Sequence, residues 1–163
     1  MTAPVRTRVC TVLLHDGRLA LIRRDRPDGV QHSLPGGLVE EDEDPDAALR
    51  RELLEELGLD LADLPEPPVL RFVQEQETRR PGESGLFRRR CLVFTAHLPD
   101  RLHHTVAAEQ DDPGRVPVEW IPLAEAAGLH LYPAIGPVVE QAVEPATGPL
   151  LLAPMTSASY QWR

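Results

Sequence analysis

Residues 37–59 read Gly37-Leu38-Val39-Glu40-Glu41-Asp42-Glu43-Asp44-Pro45-Asp46-Ala47-Ala48-Leu49-Arg50-Arg51-Glu52-Leu53-Leu54-Glu55-Glu56-Leu57-Gly58-Leu59. Both ends of a helix are marked in this stretch. Asp44 is a good N-cap, Pro45 suits the first helical position, and Asp46 favours the positive end of the macrodipole. Ala47 to Leu57 carries the helix, and Gly58 stands where a left-handed glycine would end it. At about 100° per residue, Glu52, Glu55 and Glu56 fall within one arc, with Leu49, Leu53 and Leu57 on the adjoining side. One face packs and its neighbour gathers three carboxylates. Like charges three and four apart destabilise a helix by a few tenths of a kcal/mol per pair. A bound cation offsets that cost, and carboxylate oxygens are the ligands that Mg²⁺ or Mn²⁺ prefers. The plain alternative is a solvated acidic helix face.

Outward from the helix, the chain alternates strands and turns. Val9–Leu14 and Leu19–Arg24 read as strands joined at Asp16-Gly17, because both central residues of a type I′ turn need positive φ. Residues 26–29 read as a loop, and Ser33–Gly37 as a short extended piece. After the helix, residues 61–68 read as a loop. Val69–Gln74 and Leu86–Leu98 read as strands joined through the turn at 79–85. Pro99–Pro117, including His103-His104, reads as irregular. A strand at Val118–Ile121, a helical turn at Leu123–Ala127 and a helix at Ala134–Val143 complete the pattern. The order predicts an α/β (α+β) chain with one mixed sheet. Residues 1–143 form the domain. Residues 144–163 form a tail, either a flexible end or an arm packed on another surface.

The 163 residues suffice for one core and leave no room for a second comfortable domain. No apolar run approaches the roughly 20 residues of a membrane span, and residues 1–14 lack a secretory pattern. Cys10 and Cys91 stand alone in apolar runs, as reduced thiols of a cytoplasmic protein do. All 17 basic residues are arginine, so chemistry that needs a lysine amine, Schiff bases and Walker A loops among it, is excluded. The formal net charge of -9 argues against a nucleic-acid polymer as partner. An acidic protein that acts on a polyphosphate needs a metal cation between the two negative charges. Arg79, Arg80, Arg88, Arg89 and Arg90 read either as a basic rim for distal phosphates or as ordinary exposed residues. Phe72 and Phe87 read as core.

From Gly37 the spacing is five residues to Glu43, then seven to Arg51-Glu52-Leu53-Leu54-Glu55-Glu56-Leu57-Gly58-Leu59. This pattern resembles, position by position, the signature of the Nudix hydrolases, and Pro35-Gly36-Gly37 resembles the family's entry into it. His32 departs from a tryptophan common there. Glu119–Leu123 resembles the family's late strand. The resemblance implies an α/β/α sandwich with a central mixed sheet. It also implies metal-dependent cleavage of a nucleoside diphosphate linked to another group, by water attack on phosphorus. Glu52, Glu55 and Glu56 would bind Mg²⁺ or Mn²⁺, with the Gly36 carbonyl as a further ligand. Gly37, Glu43, Arg51 and Gly58 would hold the motif together, Arg51 pairing with Glu43. Glu52 or a carboxylate outside the motif, such as Glu109, would act as base. The alternatives are a nucleotide-sensing module without catalysis and a hydrolase of a non-nucleotide diphosphate. A homodimer is compatible with all of these.

Overall fold

The computed structural model describes residues 4–109, 118–144 and 148–163, with residues 107–109 described by backbone alone. Strands β1 (Arg6–His15), β2 (Arg18–Arg26), β3 (Gly29–Ser33) and β4 (Gly36–Leu38) precede helix α1 (Pro45–Leu57). A 3-10 turn, Leu61–Asp63, leads to β5 (Val69–Thr78), β6 (Phe87–His97) and helix α2 (Asp100–Glu109). Then come β7 (Val118–Pro122), α3 (Leu123–Ala126), β8 (Leu131–Tyr132) and a 3-10 helix, Gly136–Val143. Two short strands of the tail, β9 (Leu150–Leu151) and β10 (Met155–Thr156), end the order. The sheet runs β10-β5-β6-β1-β2-β3-β8, with β4 on β1, β7 on β2 and β9 on β5.

The sheet is mixed. β1 pairs parallel with β6 and antiparallel with β2 and β4. The β1–β2 hairpin turns at Asp16 and Gly17, both at positive φ, 48° and 71°, as a type I′ turn requires. Central strands are apolar on both sides because both faces are covered. Val9 and Leu13 of β1 pack with Phe94 and Ala96 of β6 against Leu49, Leu53 and Leu57 of α1 and Val106 of α2. Cys10, Val12 and Leu14 point the other way, with Val93, onto Ala126 of α3 and Val139 and Ala142 of the 3-10 helix. The two cores make the α/β/α layering. Both thiols are free and buried, and burial pushes the Cys91 thiol up to about 11.

Three local expectations change. Residues 100–109 form helix α2 rather than irregular chain, so His103-His104 is helical. Pro99 is tolerated because it precedes the helix, and Leu102 and Val106, four apart, supply its packing side. The loop expected at 26–29 shrinks to a tight turn at Pro27-Asp28 between β2 and β3. The segment ending at Val143 winds as a 3-10 helix. The tail lies along the sheet: β9 and β10 run parallel to β5. Met155 and Tyr160 are buried with Tyr132 in a third cluster.

Candidate active site

Helix α1 forms as its sequence dictates. Asp44 accepts from the Ala47 N–H at 2.8 Å, and Gly58, at φ 67°, donates its N–H to Leu54 O. Leu49, Leu53 and Leu57 anchor the helix to the sheet, and that contact aims Glu52 and Glu56 at β4. Glu55 remains 62% exposed.

Two glycines let the helix and sheet meet. Gly36 lies at φ 150°, and a Cβ there would run into the Val9 carbonyl and Cys10. A Cβ on Gly37 would instead collide with the Glu52 carboxylate. The two positions therefore predict different defects. Gly36→Ala presses on the backbone of β1 from a conformation that L-residues rarely adopt, so it costs about 1–3 kcal/mol of stability. Gly37→Ala displaces only the far end of a side chain, so it keeps most stability and loses turnover. Urea unfolding and steady-state kinetics on both variants check the split. A Gly37→Ala protein with native turnover would contradict it.

Arg51 organises the loop before the helix. Its Nε and Nη2 donate to the two Glu43 oxygens at 2.9 and 2.8 Å, Nη2 also to Leu38 O at 3.0 Å, and Nη1 to Glu52 Oε1 at 2.8 Å. The fork matches guanidinium to carboxylate geometry. Arg51 holds the Glu43 carboxyl down to about 2. A depressed folded value stabilises the protein fully above the unfolded glutamate value near pH 4.3, and the contribution is lost as pH falls towards 2. Thermal unfolding between pH 5 and 2 should therefore show native Tm falling more steeply than that of Glu43→Gln. Parallel curves would remove the pair from the acid response.

Glu56 differs from its neighbours. It is partly buried, and its Oε1 accepts the Gly36 N–H at 2.9 Å. Burial pushes its carboxyl above the usual range, against the Gly36 bond and the charges of Arg8 and Arg24. Arg8 and Arg24 escaped the sequence reading. They lie far from the motif along the chain, and only the pairing of β1 with β4 brings Arg8 beside it. Arg8 also donates to Leu34 O at 3.1 Å.

The arginine row at 88–90 divides by strand alternation. Arg88 lies 3.3 Å from Glu77 and Arg90 2.6 Å from Glu75, each directly across from its partner on β5. Arg89 points to the opposite face, where its guanidinium lies 4.0 Å from the Phe87 ring. Phe72 is core, whereas Phe87 is only half-buried. Arg79 is exposed and bonds Ser157 through its backbone, and Arg80 stacks on Phe87. Glu109 ends α2, and its side chain lies outside the described residues. His32, at the departure from the common tryptophan, meets Glu119 at 3.2 Å.

The oxygen donors fit a hard cation in kind: a partly buried carboxylate between arginines, a second fixed by Arg51, and a third at the surface. Among the described residues, one group of three ligating atoms lies within 4.8 Å of one another, and it is His15, Asp16 and Asp100. That group sits at the far end of β1, with its two carboxylates exposed. The three glutamates of α1 are not so gathered.

The chain matches the NUDIX domain over residues 4–141 and belongs to the Nudix family. It is a Nudix-type pyrophosphohydrolase. No curated protein matches it by sequence. Among solved structures, the mutator MutT protein from Bacillus halodurans aligns with a TM-score of 0.65 at 14% identity, over 93% of this chain and 91% of that one. The MutT NUDIX hydrolase from Burkholderia pseudomallei gives 0.53 at 27%, over 74% and 85%. The ORF135 protein of E. coli gives 0.52 at 24%, over 87% and 94%. Among the described residues, no helix is long and apolar enough to cross a membrane.

Proposed function

We propose that the protein hydrolyses the diphosphate linkage of a nucleoside diphosphate joined to another group, with Mg²⁺ or Mn²⁺ held by Glu52, Glu55, Glu56 and the Gly36 carbonyl. The observation that carries this reading is Glu56. A partly buried carboxylate, tied to the Gly36 N–H and flanked by two arginines, is poised for a cation and an anion at once. Bound there, the metal would neutralise the diphosphate and lower the pKa of the attacking water.

The chain's own groups supply the rest. The Gly36 N–H fixes one Glu56 oxygen and Arg51 fixes one Glu52 oxygen, so two carboxylates are oriented before substrate arrives. Such preorganisation removes reorganisation from the barrier. Glu52, oriented by Arg51, or a carboxylate outside the motif such as Glu109 would accept the proton of the water. Arg8 and Arg24 place positive charge beside the phosphates, which an acidic surface otherwise repels.

Mg²⁺ at about 100 times its Kd should stabilise the fold by roughly 2.7 kcal/mol, or about 5–10 °C in Tm. A panel of nucleoside diphosphate derivatives assayed for product release with Mg²⁺ or Mn²⁺ then reads the activity. An unchanged Tm at millimolar metal would sink the metal site. Turnover of base-free diphosphates alone would select the non-nucleotide alternative.

A further inference from the structure

The chain has three phenylalanines, two tryptophans and two tyrosines. Four of these rings, Phe87, Tyr132, Tyr160 and Trp162, gather at one place. Tyr132 lies 5.3 Å and Tyr160 5.5 Å from Trp162, and Phe87 meets Trp162 edge-on at 5.4 Å. Two of the four belong to the tail, which lies beyond the matched domain.

The cluster also carries hydrogen bonds. Tyr132 donates to Gln76 Oε1 at 2.7 Å, and Trp162 Nε1 donates to Thr78 Oγ1 at 3.1 Å. Gln76 donates to the same Thr78 oxygen at 3.1 Å. The tail therefore covers a polar strip of β5. It does so while also filling the apolar cluster of Tyr132, Met155 and Tyr160.

Flat cations already lie on the rings. The Arg80 guanidinium is 3.9 Å from the Phe87 ring and 4.7 Å from that of Trp162, and Arg89 stacks on Phe87 at 4.0 Å. Planar groups with exposed π faces are what such walls hold. Among the described residues, Arg6, Arg8 and Arg89 form no carboxylate ion pair within 4 Å, although the chain's net charge is -9. Arg6 and Arg89 are direct cross-strand partners. Like charges directly opposite each other, as Arg6 and Arg89 are, cost stability that an anion would return. The row is continuous with the site, because Arg8 of β1 pairs with β4, donates to Leu34 O and lies 5.3 Å from the Tyr132 ring.

We propose that the tail completes the substrate site. Trp162 and Phe87 hold a planar aromatic group at the non-reacting end, Arg89 and Arg8 hold phosphate oxygens between it and Glu56, and Trp162 is the specificity-determining side chain. This inference rests on the hydrolytic reading above, so its test separates the two.

The binding arm uses Trp120→Phe, in which Trp162 is the sole tryptophan, titrated without metal with a purine nucleoside monophosphate. Saturable quenching of its fluorescence is expected, and it should weaken in Arg89→Ala. The kinetic arm compares Trp162→Ala and Trp162→Phe. For base-bearing diphosphates, Trp162→Ala should raise KM about 10–100-fold, the loss of one stacked ring, and Trp162→Phe should stay within about threefold of native. Leu151→Ala, on an exposed tail residue, controls for disturbance of the tail and should match native. No quenching together with an unchanged KM in Trp162→Ala overturns the inference while hydrolysis still stands. Quenching without hydrolysis of any diphosphate keeps the tail site and removes the hydrolytic reading. Should Trp162→Ala fail to fold, the titration of the folded Trp120→Phe protein decides alone.

Discussion

Glu56→Gln should lower turnover at least about a hundredfold while the fold survives. Glutamine keeps the shape and still accepts the Gly36 N–H, so the contact that ties α1 to β4 persists. What disappears is the negative charge, and with it a hard anionic ligand. Burial already works against that charge in the metal-free protein. The metal-free Tm of the variant should therefore equal or exceed the native value, and the rise in Tm with Mg²⁺ should shrink. Steady-state kinetics and two melting curves, with and without Mg²⁺, read all three effects. Native turnover in the variant would remove Glu56 from the metal site.

Arg51→Ala should damage stability and turnover together. Arg51 is 25% exposed on its side chain, and it links Glu43, Leu38 O and Glu52. Its removal leaves two carboxylates facing each other across the loop without their shared cation. Losing charged hydrogen bonds of this kind costs roughly 2–3 kcal/mol, or about 5–10 °C in Tm for a chain of this size. Turnover should fall as Glu52 loses its orientation. A Glu43→Ala and Arg51→Ala double-mutant cycle isolates the pair, because the singles and the double should be strongly non-additive. A variant that melts like the native protein and loses only activity would make Arg51 a residue of substrate or metal, not of the loop.

Much of helix α1 is legible in the sequence, for a local reason. Asp44, Pro45 and Gly58 act on backbone groups within four residues, and the leucine period refers only to the helix itself. The Asp16-Gly17 hairpin is legible on the same ground. Helix α2 was not, because Pro99 and His103-His104 read as loop, and the packing that favours the helix comes from Trp120 and the sheet. His103 meets the Trp120 ring at 4.7 Å, a contact that no local window contains. The arginine row shows the same limit. Its composition announces charge, but only the register of β5 on β6 sends Arg88 and Arg90 to Glu77 and Glu75 and turns Arg89 to the other face.

By itself the sequence determined the family signature, the helix that carries the three glutamates and the glycine positions around it. These follow from spacing along one continuous segment, where covalent geometry limits what neighbours can do. Tertiary structure alone decided which glutamate bonds the Gly36 N–H, that Arg8 and Arg24 flank it, and that Trp162 lies beside Phe87. Each of these joins residues far apart in the chain, through strand register, a crossover or the fold of the tail onto β5. Such contacts depend on how whole elements pack, and a sum over local preferences does not contain them.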